Sequence, residues 1–300
     1  MKNPGENILT SLFRVKRGVL LPQGGVYGGP SFPIWAGFLL FVMFYVWPLL
    51  TLVGTSVNWT ELSGSSYAKV FGERVYLSIL ANTARISSIV AVSCILIGFS
   101  YAVFLSRLRG TIRQAAFILG VLPILVNPLA IICAWRIVLE RHGILNSALI
   151  GSGLASTPLS LCYNLFSVVL VMTYLLFPLV MLPCYGAISR LDQNLVAAAK
   201  NLGAGSLQIF LYVELPACLP GVIAGGLLAF VLALGYFVTP ALLGGRSETM
   251  ISMIIADRFN VLLDWQLGAA LSVMLLLMVL VSLVTGRIIV RLWERHHTLG

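Results

Sequence analysis

The chain has 300 residues, 59% apolar and only 10% charged, with a mean hydropathy of +0.99 and a formal charge of +9. Soluble domains carry about 25% charged residues, so this composition excludes an ordinary water-soluble globular protein. At about 20 to 25 residues per crossing plus loops, the length accommodates roughly six spans in one integral membrane domain.

Residues 1–32 read as a cytoplasmic N-terminal segment rich in Gly and Pro, too long and followed by too long an apolar run for a secretory signal. Within it, residues 7–21 either lie in the inner-leaflet interface or form a disordered tail. A transmembrane domain is expected over residues 33–290 and a cytoplasmic tail over 291–300. Six apolar runs bounded by charge or turn residues predict its spans. They are Pro33 to Ser56, Leu80 to Leu105, Ile112 to Leu139, Leu161 to Ile188, Glu214 to Leu234 and Gln266 to Val290. Runs of this length predict helices, because lipid offers no partner to an unpaired backbone group. Pro123, Pro128, Pro178 and Pro183 fall inside the third and fourth runs as kinks of the kind that line cavities.

Lys and Arg fall unevenly about these spans. Twelve, including Arg107, Arg109, Arg113, Arg190 and Lys200, lie on one side and six, including Arg136, Arg141 and Arg246, on the other. The bias places both termini and the loop around residue 200 in the cytoplasm. Arg85 sits near the outer end of the second span, where it snorkels. The positive charge is explained by this topology and by attraction to anionic lipid, with no call for nucleic acid.

Chemistry-bearing motifs are sparse. Cys94, Cys133, Cys162, Cys184 and Cys218 lie in or beside apolar spans without metal-ligand spacing and read as packing residues. His142, His296 and His297 build no metal geometry. No phosphate-cradling loop or nucleophile motif is present. All ten acids are expected in loops, tails or span ends, which disfavours ion-coupled transport through mid-membrane carboxylates. Energy for active transport would therefore enter from another subunit. The alternative is a stand-alone channel or secondary carrier, and a membrane enzyme lacks any convergent acid, base or metal set.

The hydrophilic loop between the fourth and fifth runs is the entry point. A short helix is expected from Asn194 to Leu202 within a coupling segment over residues 194–205. Leu195, Ala198 and Leu202 share one face, and Gly203 stops the helix. Leu207, Phe210 and Leu211 form a second amphipathic turn, and Pro216 opens the fifth span at its first turn. An ordinary interfacial loop helix would show the same pattern.

This stretch resembles the signature of binding-protein-dependent ABC importer permeases: Glu-Ala-Ala, three residues, Gly, nine residues, then Ile-x-Leu-Pro. The matching positions are Ala197-Ala198-Ala199, Gly203, Val213, Leu215 and Pro216, with the spacing intact. Ala197 stands where the family usually has Glu, and Val213 replaces Ile. The first change puts in doubt a salt bridge to the ATPase that the family's Glu would make. Further segments resemble the spermidine/putrescine-type branch. These are Asn82-Thr83, Ala134-Trp135-Arg136, Gly143 to Asn146, Phe177-Pro178, Leu182-Pro183, Phe230 to Gly245 and Asp264 to Ala270.

The resemblance implies an all-α, six-helix type I ABC importer permease fold in the bacterial inner membrane. It implies a cytosolic ATPase dimer docked on Ala197, Ala198, Ala199, Leu202 and Gly203, with Leu215 and Pro216 completing the coupling segment. It also implies a second permease chain, a copy or a sister, and a periplasmic solute-binding protein. No cofactor is expected on this chain, since ATP and magnesium belong to the ATPase. The solute expected first is polyamine-like, while relatives carrying the same segments also move opines, aminoethylphosphonate, thiamine or iron. Polar and aromatic residues near kinks, Trp135, Tyr174, Tyr185, Tyr236, Phe237 and Thr239, are candidates for the path, since aromatic faces attract ammonium groups. Packing and interfacial belts are the plainer explanation of the same residues.

Overall fold

The computed structural model describes residues 32–57, 65–191 and 193–297, and among these all regular structure is helical. The N-terminal segment, Glu61, Asp192 and the last three residues lie outside this set. The chain resolves into two compact units, residues 1–50 and 51–300. Helix α1, residues 32–57, contains a π turn at Val42–Val46 and supplies an apolar stretch, Gly37–Val57, long enough to cross a bilayer.

In the second unit, α2 (Ser65–Gly72) precedes α3 (Arg74–Arg107), a 34-residue helix. At 1.5 Å per residue α3 is about 51 Å long, well beyond the roughly 30 Å of hydrocarbon. It therefore begins six residues before the expected Leu80 and projects past the membrane. Helices α4 (Gly110–Leu125), α5 (Pro128–Leu139) and α6 (Ile144–Gly151) follow, then α7 (Leu165–Leu176) and α8 (Pro178–Ser189). The short α9 (Gln193–Asn201) leads to α10, residues 206–234, with a π turn at Phe210–Glu214. Helices α11 (Val238–Leu243), α12 (Ile251–Asn260) and α13 (Trp265–His297) complete the chain.

Four helices are long and apolar enough to span, and six spans result when two bent pairs each count as one. The pairs behave differently. Helices α7 and α8 meet at Phe177-Pro178 with a 42° bend, a kink of the expected kind. Between α4 and the stretch Pro128–Gly151, which holds α5 and α6, the chain turns by 103° instead of kinking. Asn127 is the cause: it precedes Pro128, which disfavours helical backbone at Asn127. Its side chain then caps the new helix by accepting from Leu129 N at 2.8 Å. The expected third span, residues 112–139 with kinks at its prolines, is therefore two helices.

The core is a packed triad of α3, α8 and α10 with α7 alongside. Small residues permit the close approach. A Cβ on Gly98 would lie 2.8 Å from the Phe177 carbonyl, and one on Gly225 would lie 2.7 Å from Val180 Cα. In lipid such packing, rather than exclusion of water, holds helices together. Val90, Cys94, Met172, Val180, Met181, Cys184 and Cys218 fill this core. A second cluster at the other end of α3 joins α2, α3, α12 and α13 through Val70, Tyr76, Leu80, Ile251, Leu267 and Leu271.

Three of the cysteines are thus packing residues, as expected. Cys133, on α5, is exposed. Cys162 sits half-buried in a loop, where burial and the nearby Glu140 carboxylate push its thiol above the ordinary range.

Candidate functional site

Helix α9 ends on a complete Schellman motif. Gly203 has φ +83°, its N–H donates to the Lys200 carbonyl at 3.0 Å, and Ala204 N–H donates to the Ala199 carbonyl at 3.0 Å. Open space surrounds Gly203 where a Cβ would be, so the left-handed backbone, and not crowding, selects glycine. Past the turn, Gly205 N–H donates to Gln208 Oε1 at 2.8 Å, which caps the start of α10. Leu195, Ala197 and Ala198 are exposed, and Leu202 is 88% exposed. The face predicted for docking is apolar and bare. Beside it, a groove of about 370 Å³ is lined by residues that include Ala199, Leu202, Gly203, Tyr212 and Val213.

Pro216 stands in the first turn of the α-helical stretch Leu215–Leu234, as expected, but a π turn precedes that stretch. Helix α10 is continuous through Pro216, because the π turn before it shifts the pairing and Leu215 N–H reaches the Phe210 carbonyl. Glu214, in that turn, lies 3.9 Å from Arg107 at the end of α3. Among the expected second-turn residues, Phe210 packs against Phe99 with ring centroids 5.7 Å apart, and Leu211 is exposed. The side chain of Leu207 lies outside the described set.

The expected path residues separate into three places. Trp135 and Tyr174 meet edge-to-face at 5.6 Å and line a cavity of about 570 Å³ between α3, α5 and α7. Phe177 and Thr173 complete its wall, and Thr173 Oγ1 is buried without a partner among the described residues. Among the described residues, no carboxylate lines this cavity. Tyr185 instead faces α4 in a separate groove beside Phe117, at 5.5 Å. Tyr236 packs on the main core and accepts from Ser252 Oγ at 2.6 Å through its carbonyl. Phe237 is 43% exposed, whereas Thr239 is fully buried with Oγ1 unpartnered among the described residues. Neither cavity is lined by these last three. Sequence alone gave no signal for Thr173, since a threonine in an apolar helix usually bonds its own turn.

Several resembling segments act as staples at the end of α3 opposite α9. Asn82 Nδ2 donates to the carbonyls of Ser247 and Thr249 at 2.8 and 3.1 Å, and Ile251 N–H donates to Thr83 Oγ1 at 2.8 Å. Asn146, fully buried, donates to the carbonyls of Glu140 and Leu159 and accepts from Leu159 N at 2.9 Å. Ser167 Oγ donates to the Leu243 carbonyl at 2.8 Å. Asp264 accepts from Leu267 N at 3.1 Å and caps α13. The described acids lie at helix ends, in loops, on α12 or, for Glu214, in the π turn near the start of α10, and none stands in the middle of a span. Glu73 and Glu140 flank α3 and α5, Glu248 accepts from Gly245 N at 2.8 Å, and Asp257 is exposed.

A bundle of kinked spans beside an apolar cavity, with a bare amphipathic helix at one end and stapled loops at the other, is the architecture of a multi-pass membrane protein. The chain belongs to the family of binding-protein-dependent transport system inner membrane components, whose model matches residues 94–297. It is similar to the spermidine/putrescine transport system permease protein PotB of Haemophilus influenzae, 35% identical over 77% of this chain and 76% of that protein. The PotB protein of Escherichia coli is 32% identical over 86% of this chain and 94% of its own length. Among solved structures, a bacterial ABC transporter involved in alginate import superposes with a TM-score of 0.68 at 16% identity, covering 88% of this chain and 94% of that one. The fold is that of an ABC importer permease subunit in the inner membrane.

Proposed function

We propose that this chain forms half of the translocation path of an ATP-driven importer for a polyamine-like solute. A second permease chain forms the other half. A periplasmic binding protein delivers the solute to the stapled loops, and a cytosolic ATPase dimer, which carries ATP and magnesium, docks on α9. Closure of the ATPases pushes α9, and the core rocks between two packed states. In this orientation both termini face the cytoplasm.

The bare apolar face of α9, held in place by the Schellman turn at Gly203, is the observation that carries this reading. Leu195, Ala198 and the 88%-exposed Leu202 form a contiguous apolar face next to a groove, the kind of patch that marks a protein–protein contact. The test is site-directed crosslinking in the assembled complex: Leu202→Cys should capture an ATPase subunit, and failure there, with capture from an outer-loop position instead, contradicts the proposal.

The solute is supported by similarity to the PotB proteins and by the aromatic pair Trp135 and Tyr174, which suits alkylammonium groups. The cavity's acid-free wall favours a second reading, a zwitterionic or neutral organic solute. A binding screen on the cognate periplasmic protein separates the two: spermidine or putrescine supports the first, and an opine or a phosphonate the second.

A further inference from the structure

We propose that the groove between α4 and α8 binds a phospholipid with an anionic headgroup, the phosphate on Arg113 and an acyl chain along Phe117, Ile118 and Tyr185. The groove encloses about 410 Å³ and is lined by these four residues and Gln114. Helical spacing sorts its chemistry by depth. Arg113 and Gln114 lie near the start of α4, and Phe117 and Ile118 lie four residues deeper on the same face. Tyr185 closes the opposite wall from α8. A polar mouth over an apolar slot matches a headgroup over its own chain.

The charge at the mouth is uncompensated. Arg113 is exposed and makes no ion pair or hydrogen bond to any described residue, and no acid lines the groove. Arg107 and Arg109 stand at the adjoining turn between α3 and α4, and Arg190 caps the end of α8, all exposed. Among the described residues, Glu214 is an acid at this end and is already opposite Arg107. A guanidinium presents a planar fork that fits two phosphate oxygens, and basic pockets between spans at a membrane face take anionic headgroups. A cationic solute would be repelled here, which sets this groove apart from the cavity at Trp135. The inference requires only that the chain sits in a membrane, so its failure leaves the transport reading untouched.

The test uses the full-length chain in nanodiscs of phosphatidylglycerol mixed with phosphatidylcholine, with retained lipids counted by native mass spectrometry after mild delipidation. Wild type should retain phosphatidylglycerol in preference to phosphatidylcholine. Arg113→Gln should lower that retention about fivefold, and Arg246→Gln, at the other end of the spans, should leave it unchanged. Ile118→Trp, which fills the slot and keeps the charge, should also lower it. Equal retention in Arg113→Gln and wild type, equal retention of both lipids, or release by free inorganic phosphate would overturn the proposal.

Discussion

Arg107 at the end of α3 lies 3.9 Å from Glu214 in the π turn of α10, and the two ends of this pair are unequally exposed. The Arg107 side chain is 61% exposed and that of Glu214 only 17%, with one carboxylate oxygen buried and lacking a hydrogen bond among the described residues. A pair this long and this wet contributes little by itself. Removing the arginine, however, strands a carboxylate that is mostly out of water.

An asymmetric double-mutant cycle should follow. Arg107→Gln is expected to destabilise the chain by about 1 to 2 kcal/mol, and Glu214→Gln by less than about 0.5 kcal/mol. The double variant should behave like Glu214→Gln. Thermal unfolding in detergent reads the order, and equal effects of the two single changes would contradict it.

Thr83 should behave as a buried two-way staple. Its hydroxyl accepts from Ile251 N and donates to the Ile79 carbonyl, both at 2.8 Å, and the residue is fully buried. Thr83→Val keeps the shape and strands the Ile251 N–H, at a cost of about 1 to 3 kcal/mol. Thr83→Ser should retain most of the stability. Hydrogen exchange at the start of α12 is the direct readout, with protection lost in the valine variant only.

Trp135 and Tyr174 should govern solute passage more than folding. Replacing either by Ala should lower the transport rate of an alkylammonium solute up to about tenfold, and Phe should substitute well at Tyr174, because the attraction comes from the ring face. The same change at Tyr185, which lies in the other groove, should have a smaller effect on rate. Uptake kinetics in proteoliposomes distinguish these outcomes.

At the coupling turn, backbone geometry and surface chemistry separate. Gly203→Ala forces an L-residue to φ +83°, costing about 1 to 2 kcal/mol locally. Gly203→Asn should be milder, since Asn tolerates that conformation. Both variants should still insert and fold, and solute-stimulated ATP hydrolysis by the complex should fall further in the alanine variant.

These features were unequally legible in the sequence. The Ala/Gly spacing around residues 197–203 is local, so Gly203 reveals its helix stop without any knowledge of packing. Spans two, five and six follow from apolar runs alone, although α3 and α13 extend past the runs because charged residues continue a helix once it leaves lipid. The 103° turn was missed because a proline inside an apolar run reads as a kink, and only the capping by Asn127 makes it a fresh start. The grouping of Trp135 with Tyr174 and the separation of Tyr185 depend on how α4, α5, α7 and α8 pack, which no single-segment pattern encodes. The 165-residue reach from Asn82 to Ser247 is hidden for the same reason.

The decisive measurement is ATP-dependent solute uptake into proteoliposomes holding the complete complex, with wild-type chain or Leu202→Asp. Because Leu202 is bare, the aspartate should leave folding and assembly of the permease pair intact while uptake and solute-stimulated ATP hydrolysis are lost. Uptake that persists in Leu202→Asp, or that proceeds with this chain as the sole protein, would contradict entry of the driving force through α9.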